Sequence, residues 1–308
     1  MRYTFKMPKE ITNNSYGYEF ITSLYHAFID IEDSDIFLTC DNTNIIAPNF
    51  MAHLGLILNR IKDKNNKIFF RNLNYSIKKL LANYGFICCS SFTSNDFNDN
   101  CIKYNSFSSE EFHLFKQYFN KQVNEIKNFA IINELRNHFS EIFVNVKMHA
   151  RKNDINCFND KEIYTCGYYD IQKNFVCFTF ANNGLTFKEN IINNKQLNYN
   201  KEFEYILWAL KQGNSTRTDT KGGIGLFMFK DLIEESNGEF FIISGKGYVN
   251  HKFNENKTKF RTICKDLDAS FPGTIITAII PLDNLKHLKD DIILNNIFSM
   301  NDLMKGDF

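Results

Sequence analysis

Three polar residues, Glu141, Asn145 and His149, recur at intervals of four in a segment that is otherwise largely apolar. On a helix this spacing places them on one stripe. Taken alone, the stripe is typical of a solvated helix face, although its apolar neighbours indicate a largely buried helix whose polar groups need partners. Further along, residues 212–227 read QGNSTRTDTKGGIGLF, a glycine-rich loop that opens onto an apolar helix. Such loops can bind phosphates, so the two segments together predict a nucleotide site.

The surrounding pattern alternates between helical and strand-like segments and predicts an α+β sandwich rather than a parallel Rossmann sheet. The fold class expected for the whole chain is a two-domain α+β or α/β protein, and the sheet of this sandwich is expected to be mixed. The elements expected in chain order are a helix at 128–151, strands at 164–171 and 175–181, a helix at 202–211, a helix at 224–236, and strands at 240–244 and 274–281.

In this order the motifs resemble the GHKL ATPase superfamily, which includes gyrase-type topoisomerases and histidine kinases, over about residues 125–285. The resemblance implies ATP and Mg²⁺ as cofactors. It makes Glu141 the general base, as in the hydrolytic members and the anti-sigma kinases, and Asn145 the residue that binds Mg²⁺. The Glu, Asn and His spacing is most similar to that of the serine-kinase anti-sigma factors. For His149, phosphate contact and simple helix packing remain equal alternatives.

The resemblance also assigns the remaining binding residues. Asn182 and Gly184 stand in the adenine-binding motif, where Asn182 replaces an aspartate and Thr186 replaces a glycine. An amide accepts hydrogen bonds without the charge of a carboxylate, so adenine binding is expected to weaken by roughly 1 kcal/mol. Thr274 lies on the terminal strand near the adenine. The loop and the following helix contribute Ser215, Thr216, Arg217, Lys221, Gly222, Gly223, Gly225 and Leu226.

The first hundred residues predict a smaller β-α-β-α-β unit. Strands are expected at 35–40, 67–71 and 86–89, and helices at 47–62 and from an N-cap at Asn74 to residue 84. The order resembles a STAS domain, the fold of anti-anti-sigma factors. Asn49 stands at the position of the phosphoacceptor serine, and an amide cannot be phosphorylated. A scaffold or dimerisation module is therefore favoured over a regulated docking surface.

Composition narrows the class of protein. The 36 Lys and Arg nearly balance the 35 Asp and Glu, and no basic stripe is evident, so no nucleic-acid partner is expected. The eight cysteines lack zinc-ligand spacing, which predicts reduced thiols in a cytoplasmic protein. No signal peptide or membrane span is evident, so no membrane partner is expected.

The sequence thus predicts two domains, STAS-like residues 1–100 and GHKL-like residues 128–308, joined by a linker and connecting helix at 101–127. The expected function is an ATP- and Mg²⁺-binding regulatory protein, a slow ATPase or serine/threonine-kinase-like switch that controls a protein partner. Two alternatives stay open, a non-catalytic nucleotide-sensing module and a scaffold with a degenerate site. A homodimer is compatible with either family.

Overall fold

The computed structural model describes residues 1–88, 100–123, 129–149, 161–216, 223–253 and 259–283, which form an α+β protein. The strands are β1 (Arg2–Lys6), β2 (Glu10–Ile11), β3 (Asp35–Thr39), β4 (Ile45–Ile46), β5 (Lys67–Arg71), β6 (Cys101–Phe107), β7 (Ile163–Asp170), β8 (Phe175–Asn182), β9 (Glu239–Phe253) and β10 (Phe260–Pro281). The helices are α1 (Ser15–Phe28), α2 (Phe50–Lys62), α3 (Tyr75–Asn83), α4 (Phe112–Val123), α5 (Phe129–His149), α6 (Phe187–Lys195), α7 (Glu202–Ala209) and α8 (Gly225–Glu235).

The N-terminal strands β1, β3 and β5 form a parallel sheet with β3 at its centre. The predicted strands at 35–40 and 67–71 and the helix at 47–62 are confirmed, and Asn74 caps α3 by accepting from the Ile77 N–H at 2.9 Å. The predicted strand at 86–89 is wrong for its described residues, 86–88. Gly85 has φ +82°, and the Phe86 N–H bonds the Leu81 carbonyl at 2.8 Å. This donor therefore completes the C-terminal cap of α3 instead of joining a strand ladder.

The second large sheet has the order β6-β7-β8-β10-β9, and each of its described pairs is antiparallel. The predicted mixed sheet is therefore wrong. A short turn at residues 171–174 makes β7 and β8 antiparallel. The pairs of β6 with β7 and of β8 with β10 join distant segments, and the burial of their apolar faces sets their direction. Residues 101–107, expected to lie in the linker, form β6 at the edge of this sheet.

The helices α1 and α2 lie between the two sheets. The Tyr18 hydroxyl on α1 donates to Thr277 of β10 at 3.4 Å, and the Ala52 N–H on α2 contacts the Cys166 sulfur of β7 at 3.1 Å. One hydrophobic cluster runs from the parallel sheet through these helices to Ala181 and Ile275. The segments expected to form two domains therefore share a continuous core in this structure.

The opposite face of the five-stranded sheet carries a second core, which packs against α4, α5 and α8. Strand residues alternate between the faces, so Phe178, Phe180 and Ile276 point to these helices whereas Ala181 and Ile275 point to α1 and α2. The molecule is thus layered as parallel sheet, helices, antiparallel sheet and helices.

The six cysteines of the described ranges carry free thiols, as predicted: Cys40, Cys88, Cys101, Cys166, Cys177 and Cys264. Burial raises the pKa of the Cys40 thiol to about 11, which keeps it protonated near neutral pH. In the part of the chain that the model describes, no helix is both long and apolar enough to cross a membrane.

His53 makes stability sensitive to pH. Its fully buried ring packs edge-on against Tyr18 in the helical layer, and burial lowers its pKa from 6.5 to about 3. Between these values the unfolded chain binds a proton that the folded protein does not bind. The free energy of unfolding should therefore decrease as the pH falls below 6.5, by about 1.4 kcal/mol per pH unit from this residue.

Urea denaturation of the His53→Leu variant between pH 4.5 and 7 measures this contribution, and the pH slope should be shallower than in the wild type. Some slope remains, because burial also lowers the pKa of His138 to about 4 and that of His251. His113→Gln alters an exposed histidine on α4 and serves as the control. Equal slopes in the wild type and His53→Leu would contradict the prediction.

Candidate functional site

Helix α5 holds two of the predicted chemical residues at the margin of the core. Its apolar face packs on the sheet, with the Phe139 and Phe178 rings stacked at 4.6 Å. Glu141 and Asn145 are half-buried beside this face. Their position follows from the helical period, which rotates them away from Phe139 and Phe143. His149 is the last residue of α5, and its side chain lies outside the described part of the structure.

The start of α8 meets Glu141 directly. A Cβ added at Gly225 would lie 2.9 Å from Cδ of Glu141 and closer still to its Oε1 and Cγ atoms. Glycine leaves room for this close approach, and a residue with a Cβ would require the Glu141 side chain to shift. Ile224, the N-cap residue of α8, makes no side-chain cap hydrogen bond, and the first N–H groups of a helix, which lack intrahelical partners, attract an anionic group such as the Glu141 carboxylate or a phosphate. Two motifs far apart in the chain thus come together around Glu141.

The two end residues of the glycine loop, Gly213 and Gly223, lie side by side. The Gly213 N–H bonds the Gly223 carbonyl at 3.1 Å, and the Asn214 side chain donates to the Trp208 carbonyl at 2.8 Å. Gly223 has φ +83°, and an added Cβ would strike the Asn214 backbone. The loop therefore emerges from a closed stem beside the N-terminus of α8.

The predicted residues of the glycine loop fall partly within the described ranges. Ser215 and Thr216 are half-buried where the loop leaves its stem, and Leu226 is half-buried on the first turn of α8. Arg217, Lys221 and Gly222 lie outside the described residues.

At the end of the sheet, Asn182 of β8 stands opposite Thr274 of β10, and both are buried. With the Asn182 amide oriented to satisfy its hydrogen bonds, its oxygen accepts from the Gly184 N–H at 3.0 Å and its nitrogen donates to the Thr274 carbonyl at 3.2 Å. By strand alternation both residues share the face with Phe180 and Ile276, the face that α5 covers. The structure therefore brings the predicted adenine residues and phosphate residues to one side of the sheet.

A hydrogen-bonded chain that the sequence did not predict extends from Thr274. Its hydroxyl pairs with that of Ser244 on β9 at 2.8 Å, and Ser244 also accepts from the Phe187 N–H at 2.9 Å. The sequence contained a signal for the polar role of Ser244, since a serine and a glycine follow the apolar run of the predicted strand at 240–244. This chain links β10 and β9 to the start of α6.

Thr186, which replaces a glycine of the resembled motif, caps α6. Its hydroxyl accepts from the Glu189 N–H at 3.2 Å, and the Glu189 carboxylate accepts from the Thr186 N–H at 2.7 Å. This reciprocal pair is a capping box, and it fixes the backbone that follows Gly184.

The neighbouring side chain, Asn183, reaches the N-terminal part of the protein. With its amide likewise oriented by its contacts, its oxygen accepts from Nε of Arg60 at 2.8 Å and also from Nη2. Arg60 lies on the last turns of α2 and also approaches Asp63 at 3.7 Å. The turn that carries Asn182 is therefore tied to the helical layer between the two sheets.

The donor set suits a magnesium ion held mainly by phosphates. Asn145 offers a carbonyl oxygen and Glu141 a carboxylate, and Mg²⁺ is commonly bound by one or two protein oxygens together with substrate phosphates and water. Within the described ranges, no group of three or more His, Cys, Asp and Glu residues could hold a metal by itself. Asn145 and Glu141 are thus the residues of α5 that could supply oxygen ligands to such an ion.

Comparison of the sequence with models of known protein families and with curated proteins found no match to this chain.

Proposed function

We propose that this protein binds ATP with Mg²⁺ on the helical face of its five-stranded sheet and acts as a regulatory switch of the GHKL type. The observation that carries the proposal is the contact between Gly225 and the Glu141 carboxylate. It joins the candidate base to a helix N-terminus, which favours phosphate binding.

Four of the described residues have assigned roles in this proposal. Glu141 is the general base that accepts a proton from the attacking water or hydroxyl, and Asn145 holds the metal. The bound Mg²⁺ would offset phosphate charge. Asn182 accepts from the adenine amino group through the free lone pair of its amide oxygen, and Thr274 holds Asn182 in place. The reaction class is slow ATP hydrolysis or phosphoryl transfer to a protein hydroxyl.

The contact between Arg60 and Asn183 supports a switch rather than an isolated ATPase. Nucleotide binding that moves the Asn182 turn would change the hydrogen bonds of α2, which packs beneath the parallel sheet. In this proposal the STAS-like segment presents the surface that a protein partner or a second copy of the chain recognises.

A second candidate is a nucleotide sensor without turnover. The buried amide of Asn182 favours it, because its nitrogen is already bound to the Thr274 carbonyl and its oxygen lacks the charge of a carboxylate. In that case occupancy alone would regulate the partner.

Nucleotide binding tests the proposal directly. Isothermal calorimetry and thermal denaturation with ATP, ADP and GTP, each with Mg²⁺, should show ATP binding and a higher melting temperature. A nucleotide at a hundred times its Kd stabilises by about 2.7 kcal/mol. Absence of both heat and a melting shift with all three nucleotides at millimolar concentration would overturn the proposal and favour the degenerate scaffold.

Replacing Asn182 by aspartate should have two opposite effects. The charged acceptor should tighten ATP binding by about 1 kcal/mol, or roughly fivefold. Loss of the donor to Thr274 should lower the free energy of unfolding by about 1 kcal/mol. Calorimetry and urea denaturation measure the two results. Asn42→Asp makes the same chemical change at an exposed position in the turn after β3 and should leave ATP affinity unchanged. An unchanged affinity in Asn182→Asp would remove Asn182 from the adenine site.

A further inference from the structure

The parallel sheet has an outer face that points away from the helical layer. On each strand alternate residues enter the core, including Phe5, Ile36, Leu38, Ile68 and Phe70. The remaining positions form the outer face: Arg2, Thr4, Lys6, Asp35, Phe37, Thr39, Lys67, Phe69 and Arg71. Parallel sheets are almost always covered on both faces. The six outer-face residues of β1 and β5 are exposed, so a ligand can reach this face.

The strand register arranges the outer face as three rows. The middle row is Thr4, Phe37 and Phe69, and its two rings stack at 5.2 Å with an angle of 21°. One flanking row is Arg2, Asp35 and Lys67, and the other is Lys6, Thr39 and Arg71. An aromatic centre thus lies between two rows that carry cations.

Charge is concentrated on this face. Arg2, Lys6, Lys67 and Arg71 supply four positive charges, and Asp35 supplies the one negative charge, so the face carries +3 when the whole chain carries +1. The Asp35 carboxylate lies 4.0 Å from Arg2, in the other row, so the row of Lys6, Thr39 and Arg71 carries two positive charges and no negative charge. The net charge of the whole chain does not reveal this patch, because the acidic residues that balance it lie elsewhere in the sequence.

The aromatic residues remain accessible to a flat ligand. Phe69 is 42% exposed, and the Arg71 guanidinium covers the Phe37 ring at 3.6 Å from its centroid. A base can therefore stack on Phe69 or on the outer plane of the guanidinium. A second copy docked face to face is disfavoured, because +3 would oppose +3.

We propose that the outer face binds single-stranded nucleic acid. Bases stack on Phe69 and Arg71, and the phosphates contact Lys6, Lys67 and Arg2 on either side. Aromatic stacking between cationic rows is the usual basis of single-strand binding without strong sequence preference. The proposed ATP site lies on the face of the five-stranded sheet that α5 covers. The parallel sheet lies on the other side of the five-stranded sheet, beyond α1 and α2, so this inference does not depend on the ATP site.

Fluorescence anisotropy with a labelled oligothymidine and a labelled oligouridine, at low salt, tests the proposal. Both should bind the wild type, and affinity should fall as salt rises, since binding releases counterions. Phe69→Ser should raise the Kd about fivefold or more, because stacking on one base is lost. Lys67→Glu should also raise the Kd and reduce the salt dependence.

Two exposed positions away from the outer face provide matched controls, Tyr75→Ser on α3 for the aromatic change and Lys173→Glu in the β7–β8 turn for the charge change. Both should bind like the wild type, and circular dichroism should show that all variants fold. Three outcomes would overturn the proposal: no binding at low salt, equal binding by Phe69→Ser and the wild type, or equal competition by a polyglutamate peptide. The last result would assign the face to an acidic protein partner.

Discussion

Replacing Glu141 by glutamine is expected to lower ATP turnover by about 10²- to 10⁴-fold while ATP binding persists. The substitution keeps the shape of the side chain and removes its capacity to accept a proton. Glu141 is half-buried and packs against Gly225, so the exchange of oxygen for an amide group should not disturb α5 or α8. Steady-state phosphate release and calorimetric binding measure the two quantities separately.

Glu235→Gln provides the matched control, since it makes the same chemical change at an exposed position near the end of α8. It should retain both turnover and affinity. If the wild type turns over ATP and Glu141→Gln does so equally fast, Glu141 is not the base. If neither protein shows turnover above background yet both bind ATP, the sensor hypothesis replaces the catalytic one.

Replacing Gly273 by alanine is expected to destabilise the protein by about 2 kcal/mol or more and to weaken ATP binding. Gly273 has φ +148°, a conformation that residues with a Cβ rarely adopt. An added Cβ would collide with the Asn182 carbonyl oxygen and lie 2.8 Å from the Asn182 carbonyl carbon. Both atoms belong to backbone, so relief requires displacement of the turn that presents Asn182.

Urea denaturation and calorimetry with ATP check this result. Gly85→Ala is the control, because Gly85 also has positive φ, +82°, but an added Cβ would meet nothing within 4 Å. Its cost should be limited to backbone strain of roughly 1–2 kcal/mol, with unchanged ATP affinity. A Gly273→Ala protein as stable and as tight-binding as Gly85→Ala would show that the close approach of β10 to Asn182 is unimportant.

Local periodicity was sufficient to predict the elements that carry the candidate site. The helices α2, α5 and α8 and the strands β7 and β8 fall close to their predicted bounds, because apolar spacing and turn residues are local signals. The same signals missed α6, whose polar sequence has little apolar periodicity. They also missed much of β9 and β10, which extend well beyond the apolar cores predicted at 240–244 and 274–281.

The assignment of strands to a sheet needed more than local signals. The sequence contains the turn between β7 and β8, but not the pairing of β6 with β7 or of β8 with β10. These pairs join residues far apart in the chain and are decided by which apolar faces can be buried together. For the same reason the expectation of a mixed sheet was wrong.

The sequence by itself determined which residues could do chemistry and which helix or strand would carry them, because residue type and period are properties of short segments. Only the tertiary structure decided that Gly225 packs on Glu141, that Asn182 faces Thr274, and that α1 and α2 fill the space between the sheets. It also gathered four cations and two stacked rings on one face of the parallel sheet. Such arrangements arise from burial and strand register between distant segments, which composition and local spacing do not encode.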